Sequence, residues 1–180
     1  MRLENAFDVP ASPEVAWRVL NDVPRVLPCM PGAELDEIVD ENTFKVTMHV
    51  KVGAVSMRMK SEVRRTEVDA AAHRVVLVAD AKDEKGRGGA VATITSSLEP
   101  AGAGARATIV TDVQLRGTLA SIGRGVVGAV ASELTKSFAA RLSEQLESGD
   151  AEPPRPGGPV QPVGGFGLLV RSLLARLRRR

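Results

Sequence analysis

GTLASIGRGVVGAVASELTKSFAARLSEQLE, residues 117–147, decides how the rest of the chain is read. Its apolar side chains fall at Leu119, Ile122, Val126, Val130, Leu134, Phe138, Leu142 and Leu146. Steps of three and four place them in one stripe along a helix of about eight turns. Thr118 or Ser121 is placed to cap its start, and Gly149 lies just past its end. Glycines at 123, 125 and 128 weaken the first half by about 1 kcal/mol each relative to alanine. They admit two readings: backbone packed closely on a sheet, or a loose lid over a cavity. Either way, so long a helix with one apolar stripe needs a broad apolar surface to lie on.

The preceding residues supply that surface. Arg2–Val9 reads as a first strand. Ser12, Pro13 and Glu14 form a cap, first position and acidic first turn for a short helix reaching about Asn21. Prolines at 24, 28 and 31 then allow only a short helical turn near Pro24–Leu27 and a loop. A run of strands follows: Glu34–Val39, Thr43–Val52, Val55–Val63, Arg74–Ala81, Ala90–Leu98 and Arg106–Leu115. Alternation puts Phe44, Val46, Met48 and Val50 on one face of the second of these, and Met57, Met59, Ser61 and Val63 on one face of the third. A hairpin at Gly53-Ala54 would set Val50 opposite Met57 and Met48 opposite Met59. The order strand, helices, six strands, long helix is an α+β pattern: one antiparallel sheet curled around one helix.

Length and composition narrow the function. The 180 residues suit one domain and an appendage. A body of about 150 residues buries around 70% of its unfolded surface and needs no staples. The single cysteine, Cys29, excludes an internal disulfide, suits a reducing compartment and reads as structural. MRLENAFDV lacks the apolar run of a signal peptide, and no window is long and apolar enough for a membrane span. Residues 1–147 carry 18 Lys/Arg against 20 Asp/Glu, whereas residues 148–180 carry six Arg against Asp150 and Glu152. The body is therefore slightly acidic and the tail basic. With four Phe, one Trp and no Tyr, stacking platforms for bases are also lacking, so a nucleic-acid partner is not expected.

No catalytic set or metal-ligand spacing emerges. His49 falls on the polar face of its strand and His73 in a turn, both read as surface positions. Lys85-Gly86-Arg87-Gly88-Gly89 is a hairpin turn rather than a phosphate loop. What stands out is softness. Val46, Met48, Val50, Met57, Met59 and Val63 share a concave face with Leu119, Ile122, Val126 and Val130 of the long helix. Methionine adapts to irregular apolar shapes. That face is either ordinary core or a pocket for a long apolar molecule.

Residues 149–165, GDAEPPRPGGPVQPVGG, hold five prolines and five glycines and read as a flexible linker after a domain spanning 1–148. As coil the linker spans about 23 Å, and about 50 Å fully extended. In FGLLVRSLLARLRRR, residues 166–180, Phe166, Leu169, Val170, Leu173, Leu174 and Leu177 make a helical stripe. Arg171, Arg176, Arg178, Arg179 and Arg180 lie off it or at its end. At about 22 Å the segment is too short to cross a bilayer. It suits an anionic membrane surface, where five arginines supply roughly 5 kcal/mol. Docking on a partner protein and simple disorder are the other readings.

These residues also carry a resemblance. GTLASIGRGVVGAVASELTKSFAARL, NDVPRVLPCMPGAE (21–34), GRGGAVATI (86–94) and VQLRG (113–117) resemble the carbon monoxide dehydrogenase G-subunit family, over about residues 1–147. The resemblance implies a helix-grip, START-like (SRPBCC) fold whose curved antiparallel sheet wraps a long C-terminal helix and encloses an apolar cavity. It implies an accessory role to a molybdenum-containing carbon monoxide dehydrogenase, or a related molybdenum hydroxylase, at the inner face of the cytoplasmic membrane. It brings no catalytic residue and no covalent cofactor. An apolar pocket and a membrane-surface tail, on an accessory to an enzyme that releases electrons, lead to one expectation: the bound ligand is a respiratory quinone, menaquinone or ubiquinone. Three rivals are a pure recruitment module with a solid core, a cyclase-like enzyme, and a general lipid carrier. The enzyme would need inward polar groups, of which the sequence offers Ser61.

Overall fold

The apolar–polar alternation becomes a seven-stranded antiparallel sheet in a computed structural model that describes residues 1–52 and 55–148. The strands are β1 (Arg2–Val9), β2 (Ala33–Ile38), β3 (Thr43–Val52), β4 (Val55–Asp69), β5 (Arg74–Asp83), β6 (Gly88–Ala101) and β7 (Gly104–Gly117). They lie in the order β1-β7-β6-β5-β4-β3-β2, so all neighbours but β1 and β7 are consecutive in sequence. β1 and β2 are the two edges, and the sheet does not close. Val50 pairs with Met57 and Met48 with Met59, the register expected of a hairpin at 53–54. The turn residues themselves, the linker 149–165 and the basic segment 166–180 lie outside the described residues.

Several strands run further than their apolar alternation. β4 continues six residues past Val63 to Asp69. That stretch, Arg64–Asp69, is almost entirely polar, yet it pairs with β5 through a bulge between Arg65 and Glu67. Main-chain pairing, not side-chain burial, carries it.

Two short helices cross one end of the sheet. The Ser12 hydroxyl accepts the Val15 N–H at 3.4 Å and caps α1 (Pro13–Asn21), with proline at its first position. α2 (Val23–Val26) and a 3-10 turn at Leu27–Cys29 follow, kept short by the prolines.

The long helix differs from the expected single rod. Gly117 turns out of β7 at φ +65°, where a Cβ would stand 2.8 Å from the Gly88 Cα, so only glycine fits. A 3-10 turn, Thr118–Ser121, comes next, and α3 begins only at Arg124 and runs to Ser148. Neither expected cap serves α3. The Thr118 hydroxyl donates to the Arg87 carbonyl, and the Ser121 hydroxyl donates to the Thr118 carbonyl at 2.7 Å. The first turn instead closes on the Gly123 carbonyl, which accepts the N–H groups of Val126 and Val127.

The second half of α3 sits in a solid core with α1 and the ends of β1, β6 and β7. Val9, Ala16, Val19, Cys29, Leu98, Ala105, Ala107, Phe138 and Leu142 are buried together, and Leu142 is 0% exposed. Phe138 meets Phe7 edge-on with ring centroids 5.8 Å apart.

Candidate functional site: an apolar hollow under the C-terminal helix

Between sheet and helix lies a cavity of about 540 Å³, within the range typical of small-molecule sites. Its size follows from the side chains on its floor. Four inward positions of the central strands β5 and β6 are alanine, Ala79, Ala81, Ala90 and Ala92, and they pair as Ala79 with Ala92 and Ala81 with Ala90; Leu77 and Ile94 continue the two rows. Four methyl groups in a square cannot reach the helix above them. Larger residues surround the square: Phe44, Val46 and Met48 on β3, Met57, Met59 and Val63 on β4, and Val113 and Leu115 on β7.

The sequence pattern assigns ten residues to this lining. Nine are there: Val46, Met48, Val50, Met57, Met59, Val63, Leu119, Ile122 and Val130. Val126 is not. It is 46% exposed, and Val127 takes the place expected of it. The reason is helical drift. Residues twelve apart on an α-helix differ in direction by about 120°, whereas residues eleven apart differ by about 20°. Counting back from Phe138, Val126 is twelve residues away and Val127 eleven. A stripe stepped in fours rotates off the cavity, and the break before Arg124 prevents Ile122 and Val126 from sharing one phase.

The helix glycines are not required by close packing. A Cβ added at Gly123 or Gly125 would meet nothing within 4 Å, and one at Gly128 would meet only the Leu3 Cδ2 at 3.9 Å. Around them the packing is thin. The neighbouring small cluster consists of Met57, Met59 and Leu119, with Met48, Val50, Ala81, Leu115 and Ile122 half-buried against it.

A polar knot holds this end together. Asp83 is buried, and its carboxylate accepts from the Arg87 guanidinium at two points, both 2.8 Å, and from the N–H groups of Lys85 and Arg87. The bidentate Arg87 bond, chiefly, holds the Asp83 pKa down to about 2. Arg87 reaches on to the Ser56 carbonyl at 3.0 Å, and its own carbonyl accepts from Thr118. The glycine-rich stretch 85–89 is a hairpin turn, as its sequence suggested, and it also ties three segments together.

Sequence reasoning missed a polar corner at the other end of the hollow. Asn21, Arg65 and His73 all line the cavity, besides Ser61. Arg65 continues the inward alternation of β4 beyond Val63. Its Nη2 donates to the Asn21 carbonyl at 2.8 Å, and its guanidinium carbon lies 5.9 Å from the Phe44 ring centre. His73, expected at the surface, is half-buried at a φ of +45°, its ring 5.7 Å from that of Trp17. It does occupy a turn, as its sequence context indicates, but its side chain faces inward. His49 is on the outer face as expected, 3.4 Å from Glu34. Cys29 is buried and donates to the Gln145 side chain at 3.0 Å; burial pushes its thiol pKa up against the opposing pull of Arg141. Among the described residues no group of three or more His, Cys, Asp or Glu could hold a metal ion, and no helix is long and apolar enough to cross a membrane.

Comparison with known proteins places this architecture. The family model for the G subunit of carbon monoxide dehydrogenase (CoxG) matches residues 6–147. Among curated protein sequences, none matches this chain. The fold is that of START-like proteins. A conserved protein from Geobacillus kaustophilus superposes with a TM-score of 0.73 at 19% identity, covering 82% of this chain and 96% of that one. The Zhui aromatase/cyclase from Streptomyces sp. R1128 superposes at 0.59 and 17% identity, covering 82% and 93%. A START superfamily protein from Mycobacterium smegmatis superposes at 0.53 and 14% identity, covering 82% and 97%.

Proposed function

The chain belongs to the CoxG family, named for the G subunit of carbon monoxide dehydrogenase, and from that premise we propose that it is a non-catalytic accessory protein that carries an apolar ligand, a respiratory quinone, between the cytoplasmic membrane and a molybdenum-containing dehydrogenase. The observation that carries this reading is the hollow itself. A recruitment module would have no use for about 540 Å³ of empty apolar space, since unfilled interior forfeits dispersion contacts. The inward methionines suit a ligand of irregular outline. Each Å² of apolar ligand surface removed from water contributes about 25 cal/mol, so an isoprenoid chain supplies its own driving force.

The tail completes the proposal. Phe166, Leu169, Val170, Leu173, Leu174 and Leu177 would enter the interface of an anionic leaflet, while Arg171, Arg176 and Arg178–Arg180 pair with head groups. The linker 149–165 would keep the cavity within reach of the membrane and raise its effective concentration there. Electrons released by the dehydrogenase would then meet menaquinone or ubiquinone outside the bilayer.

The test is to load and extract. Purified full-length protein is incubated with quinone-loaded anionic liposomes, separated, extracted with organic solvent and examined by mass spectrometry. Quinone at near one per chain is expected, and a reproducibly empty cavity would overturn the reading. A chain ending at residue 165 should lose liposome association while still accepting quinone from detergent. A cyclase-like enzyme is the second reading, favoured by one observation: the inward Asn21, Arg65 and His73. It predicts that an offered ligand is recovered chemically altered, whereas a carrier returns it unchanged.

A further inference from the structure

We propose that Arg65 is the anchoring point for a hydrogen-bond-accepting oxygen on the head of the ligand, so that the cavity selects oxygen-bearing apolar molecules over plain hydrocarbons. This rests on the cavity holding a ligand at all. Arg65 stands in the inward row Met57, Met59, Ser61, Val63, Arg65 of β4. An arginine cannot shed its charge, so a permanent cation sits at the edge of an apolar hollow. Among the described residues, no carboxylate lies within salt-bridge distance of it.

The polar groups around it are incompletely satisfied. Nη2 donates to the Asn21 carbonyl, but Nε is enclosed without a partner, and so is the Asn21 Oδ1. The orientation of Asn21 is fixed, because its amide nitrogen donates to the Trp17 carbonyl at 3.0 Å; reversed, oxygen would face oxygen. Nη1 has no partner among the described residues and is not enclosed, and Arg65 lines the cavity, so Nη1 is the donor left free for a ligand. Buried polar groups left unpaired are costly, and a charge costs more. A carbonyl or carboxylate oxygen at Nη1 would supply the missing partner through a charge-assisted bond. Phe44 at one side and the Asn21 carbonyl at the other hold the guanidinium in place, so little side-chain freedom is lost on binding.

Trp17 is the only tryptophan of the chain and lines the same corner, which makes its fluorescence a direct reporter. Three probes are titrated into the full chain: ubiquinone-1, dodecanoate and the isoprenoid hydrocarbon farnesene. Arg65→Leu should weaken an oxygen-bearing probe by about 10- to 100-fold, the loss of one charge-assisted hydrogen bond, and leave farnesene unchanged. Arg65→Lys should recover most of that loss. Weakening of ubiquinone-1 assigns the anchor to a carbonyl, and weakening of dodecanoate assigns it to a carboxylate; either supports the proposal. Because Arg65 also ties β4 to α1, Arg65→Gln serves as a second variant. Its amide can still donate to the Asn21 carbonyl but carries no charge, so it should depress the same probe without unfolding the chain. If Arg65→Leu and Arg65→Gln both bind all three probes as the unaltered protein does, the anchor is refuted while the carrier reading survives. If no probe binds the unaltered protein, the carrier reading falls and the anchor with it.

Discussion

The two halves of the C-terminal helix lie on the same sheet but do opposite things. Residues from Phe138 onward are locked into a dense core, with Leu142 fully enclosed and Phe138 against Phe7. Residues 124–130 carry two glycines, an exposed Val126 and no fully buried side chain. This half borders the hollow and the small cluster of Met57, Met59 and Leu119 instead of a dense core. Stability and capacity are thus separated along one element. The dense half fixes where the helix lies, which allows the sparse half to roof an empty volume. Where packing is absent, the Asp83–Arg87 knot substitutes a directional polar tie for dispersion contacts.

The contrast can be broken most directly at Leu142. Leu142→Ala should cost about 2–5 kcal/mol in chemical denaturation, as for other fully buried leucines, whereas Val126→Ala should cost only a few tenths. Equal losses would mean that the two halves are not different. Next in size, Ala92→Phe should fill the floor and abolish ligand uptake. It should shift stability by no more than about 1 kcal/mol, because the ring enters space instead of a packed core. A large destabilisation would show that the hollow is smaller than described.

Gly125→Ala and Gly128→Ala should each stabilise the chain by about 0.5–1 kcal/mol, since neither new methyl meets more than an ordinary contact. They should also raise hydrogen-exchange protection over residues 124–130 and slow ligand exchange. Unchanged protection would remove the case for a loosely held roof.

The smallest effect at neutral pH concerns Asp83. Its carboxyl is depressed from 3.8 to about 2 by the Arg87 bond. The stabilisation is therefore present in full above about 3.8 and lost as pH falls from there through about 2. Hydrogen exchange at the glycine-rich end should rise in that window before the dense end responds, and Asp83→Asn should abolish the difference.

The strands and their register were legible because alternation survives any tertiary context, and Met48–Met59 pairing follows from turn position alone. The helix stripe was legible near Phe138 and misleading near Val126, since steps of four accumulate drift that only the fixed end reveals. Arg65 was hidden by an assumption about strand length. Its odd-numbered parity with Met57 through Val63 was in the sequence, but the polar run Arg64–Asp69 offered no reason to extend the strand. His73 and Asn21 had no such signal, because a left-handed turn residue and a helix end carry no periodicity. The alanines at 79, 81, 90 and 92 were visible, but that they form a square is a fact of pairing between strands.

The joint at Ile122–Gly123 has a consequence for how the chain tolerates change in length. Because the 3-10 turn and α3 do not share one helical phase, a residue inserted at the joint can be absorbed there, leaving the rod that follows in its old orientation. The same insertion after Ala131 would twist one part of the rod against the other by about 100°, dragging Phe138 and Leu142 off their seats or swinging the roof aside. Deletions and insertions should therefore accumulate at residues 118–123 in related chains and be nearly absent from 131–146.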